Sequence, residues 1–255
     1  MRFANAVSAP STSNNLPRNP VHPLIRWLSQ LWLVPRRMML RRRVQSLIVE
    51  RVAGRDFIVL PEVFNPGIFR TGRFLAEYLQ KTPTLNDSCT TEQRTALDTG
   101  TGCGIHAVFA AAQGYQVEAV DISPAATRCA RMNVILNDLE DHVTVHEGDL
   151  FSPVPDQKFD LVTCSLPKFR GHPNSEFELS WRSPDVIDRF ARGLPGAMKE
   201  NGVALVLLTS HGDERGMLEA LRAAGLSIEI AERRHFGVEI MTIYRVTHAT
   251  TDRCD

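Results

Sequence analysis

The sequence predicts an α/β fold: a doubly wound, mostly parallel seven-stranded sheet with helices on both faces, preceded by an N-terminal helical extension. Three observations carry this expectation. From residue 95 onward, short β-rich runs alternate with helical runs long enough to cross back over a sheet. The first of these strands ends in a glycine-rich turn, "DTGTGCG", Asp98 to Gly104, the feature that joins strand one to helix one where a ligand meets the sheet edge. The last two runs are separated only by a short loop at Gly237, so they close as an antiparallel pair.

Each element has its own local reason. "TALDTG" is a strand and "GIHAVFAAAQG" a helix stopped by Gly114. "YQVEAVD" is a strand; "SPAATRCARMNVILNDL" is a helix with Ser123 as cap and Pro124 as first residue. "HVTVHEGD" and "FDLVTCSLP" are strands, and "SPDVIDRFARGLPGAMKENG" is the helix that follows them. "VALVLLTS", "DERGMLEALRAAG", "SIEIAERRHF" and "EIMTIYRVT" supply strand, helix and the closing two strands. Upstream, residues 1–20 are rich in Ser, Asn, Pro and Ala and read as a disordered tail. In 21–90 apolar residues recur at helical spacing, Leu24, Trp27, Leu28 and Leu31, then Met39, Leu40, Val44, Leu47 and Ile48, with Pro35 dividing two helices. "RDFIVLPEVFNPG" then reads as a short strand and loop, and "FRTGRFLAEYLQK" as a helix. The polar run "TPTLNDSCTTEQR" marks the boundary with a ligand-binding domain at 91–250, over which 21–90 forms a cap.

With 255 residues and 43% hydrophobic content the chain can bury a full core. Lys plus Arg and Asp plus Glu are both 29, a zero balance that argues against a dedicated nucleic-acid binder. The five Cys are odd in number and contain no C-x-x-C spacing, as in a reduced intracellular protein without a zinc knuckle. No apolar run has signal-peptide or membrane-spanning length, so a cytoplasmic protein is expected. The cluster Arg36, Arg37, Arg41, Arg42 and Arg43 fits a solvated helix face, a dock for RNA or a carrier protein, or a membrane-surface helix aided by Trp27 and Trp32.

The glycine turn limits the ligand. A dinucleotide site needs G-x-G-x-x-G, and the third position here is Ile105. The pattern is instead Asp98-x-Gly100-x-Gly102-x-Gly104, with Thr99, Thr101 and Cys103 between. A carboxylate at Asp98 suits a positively charged amino or sulfonium group. Asp121 ends the second strand, where a carboxylate accepts hydrogen bonds from ribose hydroxyls. In "EGDLF", Asp149 is placed to meet an adenine amino group and Leu150 to lie against the base. Three carboxylates at three successive strand ends make one site.

"LDTGTGCGI", "VEAVDIS", "RMNVILNDL", "HVTVHEGDLF" and "FDLVTCSLP" resemble the class I S-adenosylmethionine-dependent methyltransferases, which have a Rossmann-like sheet. The closest likeness is to the branch of glutamine methyltransferases and small-domain rRNA guanine methyltransferases, over about residues 56–247. The resemblance implies S-adenosylmethionine as cofactor. It implies binding by Asp98 to Gly104, Asp121, Ile122, Asp149, Leu150 and Ser165, with Thr71 in "VLPEVFNPGIFRTGRFL" as a further contact. It also implies an acceptor motif of Asn, Asp or Ser, then Pro-Pro, then Tyr or Phe. This chain has "SLPKF": Ser165 and Pro167 match, Leu166 replaces the first Pro, Lys168 replaces the aromatic, and Phe169 comes one place late. These four, Ser165 to Lys168, are the candidate catalytic residues. A lysine there favours an anionic acceptor over a planar amide or nucleobase. The leading expectation is therefore methyl transfer to a nitrogen or oxygen of a small-molecule metabolite in biosynthesis. A protein-glutamine or RNA methyltransferase is the alternative, and a non-catalytic cofactor-binding module the second. No metal is expected. His172 and His211 are candidate general bases on loops, and His106 and Cys164 read as packing. Glu176, Glu178 and Trp181 lie in the loop 168–183, the expected seat of acceptor selectivity.

Overall fold

The structure is a computed structural model that describes residues 46–67, 70–82, 93–167, 169–173 and 181–249. The tail, the arginine cluster, Lys168, Glu176 and Glu178 lie outside these residues.

The core is a seven-stranded sheet whose strands lie in the order 226–236, 239–248, 198–209, 159–164, 95–99, 116–121, 143–147. Its parallel part is β3 (Thr95–Thr99), β4 (Gln116–Asp121), β5 (Val143–Glu147), β6 (Phe159–Cys164) and β9 (Met198–Thr209). β10 (Leu226–Phe236) and β11 (Glu239–His248) pair antiparallel, and β11 adds antiparallel to β9. The expected architecture is thus the observed one. On one face, α2 (Ile105–Ala112) and α3 (Pro124–Leu136) pack with α1 (Thr71–Lys81) over Leu161, Val203, Leu205 and Ile243. On the other, α4 (Val186–Ala197) and α5 (Glu214–Ala223) pack over Leu97, Val162, Ala204 and Val206. The strands read as near-continuous apolar runs because both their faces are covered.

Two boundaries differ from the sequence reading. The helix predicted through Leu47 and Ile48 gives way to strand β1 (Ile48–Val52), paired antiparallel with β2 (Arg55–Val59). The turn between them is Ala53–Gly54, both at positive φ, the mirror-image turn that suits a two-residue hairpin. Helix α4 ends at Ala197, five residues before the predicted stop, and "MKENG" joins β9. Pro195, near the end of α4, cannot donate to the helix ladder and helps end it.

The described part of 21–90 is no separate cap. Val52, Phe57, Val59, Phe74, Leu75 and Leu79 share one buried cluster with Phe109, Val117 and Leu205. Asn133 of α3, fully buried, fastens the hairpin: its Oδ1 accepts from Ile58 N at 2.7 Å and its Nδ2 donates to Ile58 O at 2.7 Å. The same Nδ2 donates to Cys103 O at 2.8 Å. One side chain therefore ties the hairpin and α3 to the glycine turn.

Candidate active site

The predicted cofactor residues converge at the C-terminal edge of β3, β4 and β5, and Ser165 to Pro167 follow β6 beside them. The glycine turn folds back on β4: Gly100 N and Thr101 N both donate to Val120 O, at 2.9 and 3.0 Å. Gly102 N donates to Asp121 Oδ2 and Ser123 N to Asp121 Oδ1, each at 2.9 Å. Asp121 thus braces the turn while its remaining lone pairs stay available to hydroxyl donors. Burial pushes its carboxyl above the ordinary value, against the lowering effect of those backbone N–H groups.

Gly102 and Gly104 do different work. A Cβ at Gly102 would meet nothing within 4 Å, whereas at Gly104 it would meet Ala130 Cα and Cβ at 3.1 Å. Gly104 lets α3 pack onto the turn; Gly102 leaves a hollow on the ligand side. Ile122 beside that hollow is an apolar residue left 55% exposed. The open space at Gly102, the Asp121 and Asp149 carboxylates and the exposed Ile122 thus lie along one strand edge.

The structure corrects three expectations for individual side chains. Asp98 is fully buried, so it cannot meet a cationic ligand directly. Its Oδ1 accepts from Thr163 Oγ1 at 2.6 Å, its Oδ2 from Thr101 Oγ1 at 2.7 Å, and His106 Nδ1 lies 3.6 Å from Oδ1. Burial works against its charge, but His106, Thr101 and Thr163 outweigh it and hold the carboxyl below its ordinary value. Leu150 is turned into the core near α4 rather than laid open to a base. Thr71 is buried at the start of α1. Its neighbour Gly72 offers its carbonyl to His106 Nε2 at 3.1 Å, so α1 is locked to α2 beside the glycine turn. Thr99, Thr101 and Cys103 are buried as well, and they serve the turn from behind. Thr99 Oγ1, for instance, donates to Thr163 O at 2.9 Å.

The acceptor side is built from loops. Ser165, Leu166 and Pro167 are half-buried, and Leu166 Cδ2 packs over Gly100. After residue 168 the chain is pinned. Strand β7 (Phe169–Arg170) pairs with β8 (Arg182–Ser183), and Phe169 N donates to Trp181 O at 3.0 Å. Arg170 donates to Asp188 Oδ2 and Oδ1 at 2.5 and 3.0 Å and to Asp213 Oδ2 at 2.6 Å, joining this loop to α4 and α5. The Trp181 ring meets the Phe64 ring at 5.0 Å. That contact closes the acceptor loop onto the segment that precedes α1, and it was not legible in the sequence. His211 is buried, so it is not placed as an open general base, while His172 is exposed. Cys164 is buried, and burial pushes its thiol up to about 12, which suits packing. Among the described residues no three His, Cys, Asp or Glu gather as for a metal ion, and no helix is long and apolar enough to cross a membrane.

The profile of the family described as methyltransferase small domain matches residues 55–232, most of the chain and all of the site above. The chain belongs to the methyltransferase small domain family. It is an S-adenosylmethionine-dependent methyltransferase. A ribosomal protein uL3 glutamine methyltransferase of Bordetella pertussis is 28% identical over 208 residues, 71% of this chain and 67% of the relative. A chain of Methanocaldococcus jannaschii, provisionally named a protein N5-glutamine methyltransferase, is 28% identical over 151 residues, 56% of this chain and 75% of the relative. A ribosomal protein L11 methyltransferase of Listeria welshimeri is 28% identical over 67% of this chain, which spans only 46% of that relative. Among solved structures, a T. thermophilus 16S rRNA N2 methyltransferase in complex with AdoMet and guanosine superposes with a TM-score of 0.58 at 18% identity. That match covers 80% of this chain and 50% of the other, and it shows the shared fold.

Proposed function

We propose that this chain methylates the side-chain amide nitrogen of a glutamine in a ribosomal or related protein. The observation that carries the reading is the likeness to the uL3 glutamine methyltransferase over 208 residues. That stretch is too long to be confined to the strands bearing the glycine turn. The small-metabolite expectation rested on Lys168, which lies outside the described residues, and nothing else on the site favours it.

The chemistry fits what the chain offers. An amide nitrogen is a poor nucleophile because its lone pair is delocalised into the carbonyl. It presents two N–H donors in one plane and needs two acceptors to hold it in line. Ser165 Oγ and a neighbouring backbone carbonyl of the "SLP" loop are the acceptors at hand. The bound cofactor supplies an electrophilic methyl on a sulfonium. The nitrogen–carbon bond would form as the sulfur–carbon bond breaks, leaving a neutral thioether, and the amide would release one proton to solvent. This chain's task is to orient the amide, and the Phe64–Trp181 contact and the Arg170 ion pairs support that reading by tying the loop after Pro167 to the rest of the chain.

The test uses S-adenosylmethionine tritiated in its methyl group, the purified protein and an extract of cells lacking it. Acid-precipitable label that resists ribonuclease, yields to protease and appears as N5-methylglutamine on digestion supports the reading. Label in RNA, or only in a soluble compound, overturns it in favour of an RNA or a metabolite acceptor.

A further inference from the structure

We infer that Arg189 is a positioning residue for the base of the cofactor: it grips one carboxylate oxygen of Asp149 and leaves the other free to accept a hydrogen bond from the adenine amino group. The inference rests on the reading of Asp149 as the base contact.

Arg189 stands on the first turn of α4, and Asp149 stands just past β5. Arg189 Nη1 donates to Asp149 Oδ2, while Nε lies 3.1 Å from Asp185 Oδ1 on the same turn. The guanidinium is therefore held at Nη1 by Asp149, with the carboxylate of Asp185 close to its other edge as an ion-pair neighbour. Asp149 is thereby held at one oxygen, and among the described residues its Oδ1 accepts no hydrogen bond.

This pair differs from an incidental surface ion pair because packing sets its position. Phe190, the next residue, stacks on Phe151 with ring centroids 5.7 Å apart and planes at 20°. Gly193, one turn on, lies so close that a Cβ there would fall 2.6 Å from the Phe151 ring. The loop itself is shaped by Ser152, whose N donates to Asp149 O at 3.0 Å and whose Oγ accepts from Asp149 N at 3.2 Å. Helix and loop are therefore pressed together beside the ion pair through Phe151, which limits how far Asp149 can move relative to α4.

The chemistry gives a selective consequence. Adenine carries a 6-amino donor; hypoxanthine carries a 6-keto acceptor at the same place. A held carboxylate oxygen attracts the first and repels the second. A carboxylate free to rotate reads the difference less well, because it must be ordered on binding.

The test is binding and needs no acceptor. Purified protein is titrated calorimetrically with S-adenosylhomocysteine and with S-inosylhomocysteine, for the wild type, Arg189→Gln and Arg189→Lys, each checked for an unchanged far-ultraviolet spectrum. The wild type prefers the adenosyl compound. Arg189→Gln loses about tenfold toward it and little toward the inosyl compound, so the preference shrinks. Arg189→Lys recovers part of the loss, since it keeps the charge without the fork. Equal losses toward both compounds would mean a merely structural residue and would overturn the inference, as would tighter binding in Arg189→Gln. A wild type that does not distinguish the two compounds would instead remove the reading of Asp149, and this inference with it.

Discussion

Alanine at Gly102 and at Gly104 separates the two roles assigned to the glycine turn. Both residues have positive φ, +57° and +81°, so an L side chain at either costs roughly 1–2 kcal/mol in backbone strain. At Gly104 the added Cβ also lies 3.1 Å from Ala130 Cα and Cβ and 3.4 Å from Ala130 O. Backbone atoms cannot swing away, so overpacking adds roughly 1–3 kcal/mol. Gly104→Ala should therefore lose about 2–5 kcal/mol. At about 2–4 °C per kcal/mol for a chain of this size, the melting temperature falls by roughly 4–20 °C. At Gly102 the Cβ meets no protein atom, so Gly102→Ala should fall by only about 2–8 °C. Its methyl enters the space assigned to the cofactor, however, and binding of S-adenosylhomocysteine should weaken by about a hundredfold or more. Thermal melts and calorimetric titration read both quantities. If Gly102→Ala binds S-adenosylhomocysteine as the wild type does, the hollow beside Gly102 is not the cofactor site.

Three further outcomes follow from the same contacts. Asn133→Ala removes three hydrogen bonds of 2.7–2.8 Å and leaves Ile58 N without its Asn133 acceptor, while Cys129 Sγ still donates to Ile58 O; at about 1 kcal/mol each it should cost about 3 kcal/mol, read by urea unfolding. The raised Asp121 carboxyl must be ionised to accept two ribose hydroxyls. Affinity for S-adenosylhomocysteine is then constant above that raised value and falls as pH drops through it toward the ordinary carboxylate range, with a proton released on binding there. Asp121→Asn should bind weakly and without that slope. Trp181→Ala removes the contact with Phe64; the KM of the acceptor should rise about tenfold while binding of S-adenosylhomocysteine stays unchanged, and a parallel loss of cofactor binding would place the ring elsewhere.

The legible and illegible parts divide on physical lines. The parallel strands and the antiparallel closing pair were readable because buried strands are apolar runs, and Gly100, Gly102 and Gly104 betray a backbone that must turn tightly. Strand β1 was missed because Leu47 and Ile48 fall in helical register with the residues before them, although "VERVAGRDFIV" carries its own signal, alternation about a two-residue turn. The inward orientation of Asp98 could not be read, since it depends on Thr163, one strand away and 65 residues on. Nor could the pairs Asp149 with Arg189 and Phe64 with Trp181 be read, because no periodicity relates residues 40 and 117 positions apart.

The same contacts also show how differently the glycine turn and the loop after Pro167 are held. Asp121 is held by backbone N–H groups and Asp98 by buried hydroxyls, so a change in either leaves unpaired groups in the interior. The acceptor loop is held by Arg170 and by aromatic contact, at positions where solvent can replace what is lost. The two nonetheless meet on one turn of helix: Arg189 pairs with Asp149 and Asp185, and Asp188 between Asp185 and Arg189 receives Arg170 from the loop after Pro167. Arg170→Ala should cost about 1 kcal/mol or less in stability, because its partners are partly exposed, yet raise the acceptor KM. Combined with Arg189→Gln it should change S-adenosylhomocysteine binding by other than the sum of the single changes. Strict additivity would show that the turn of helix does not couple the two.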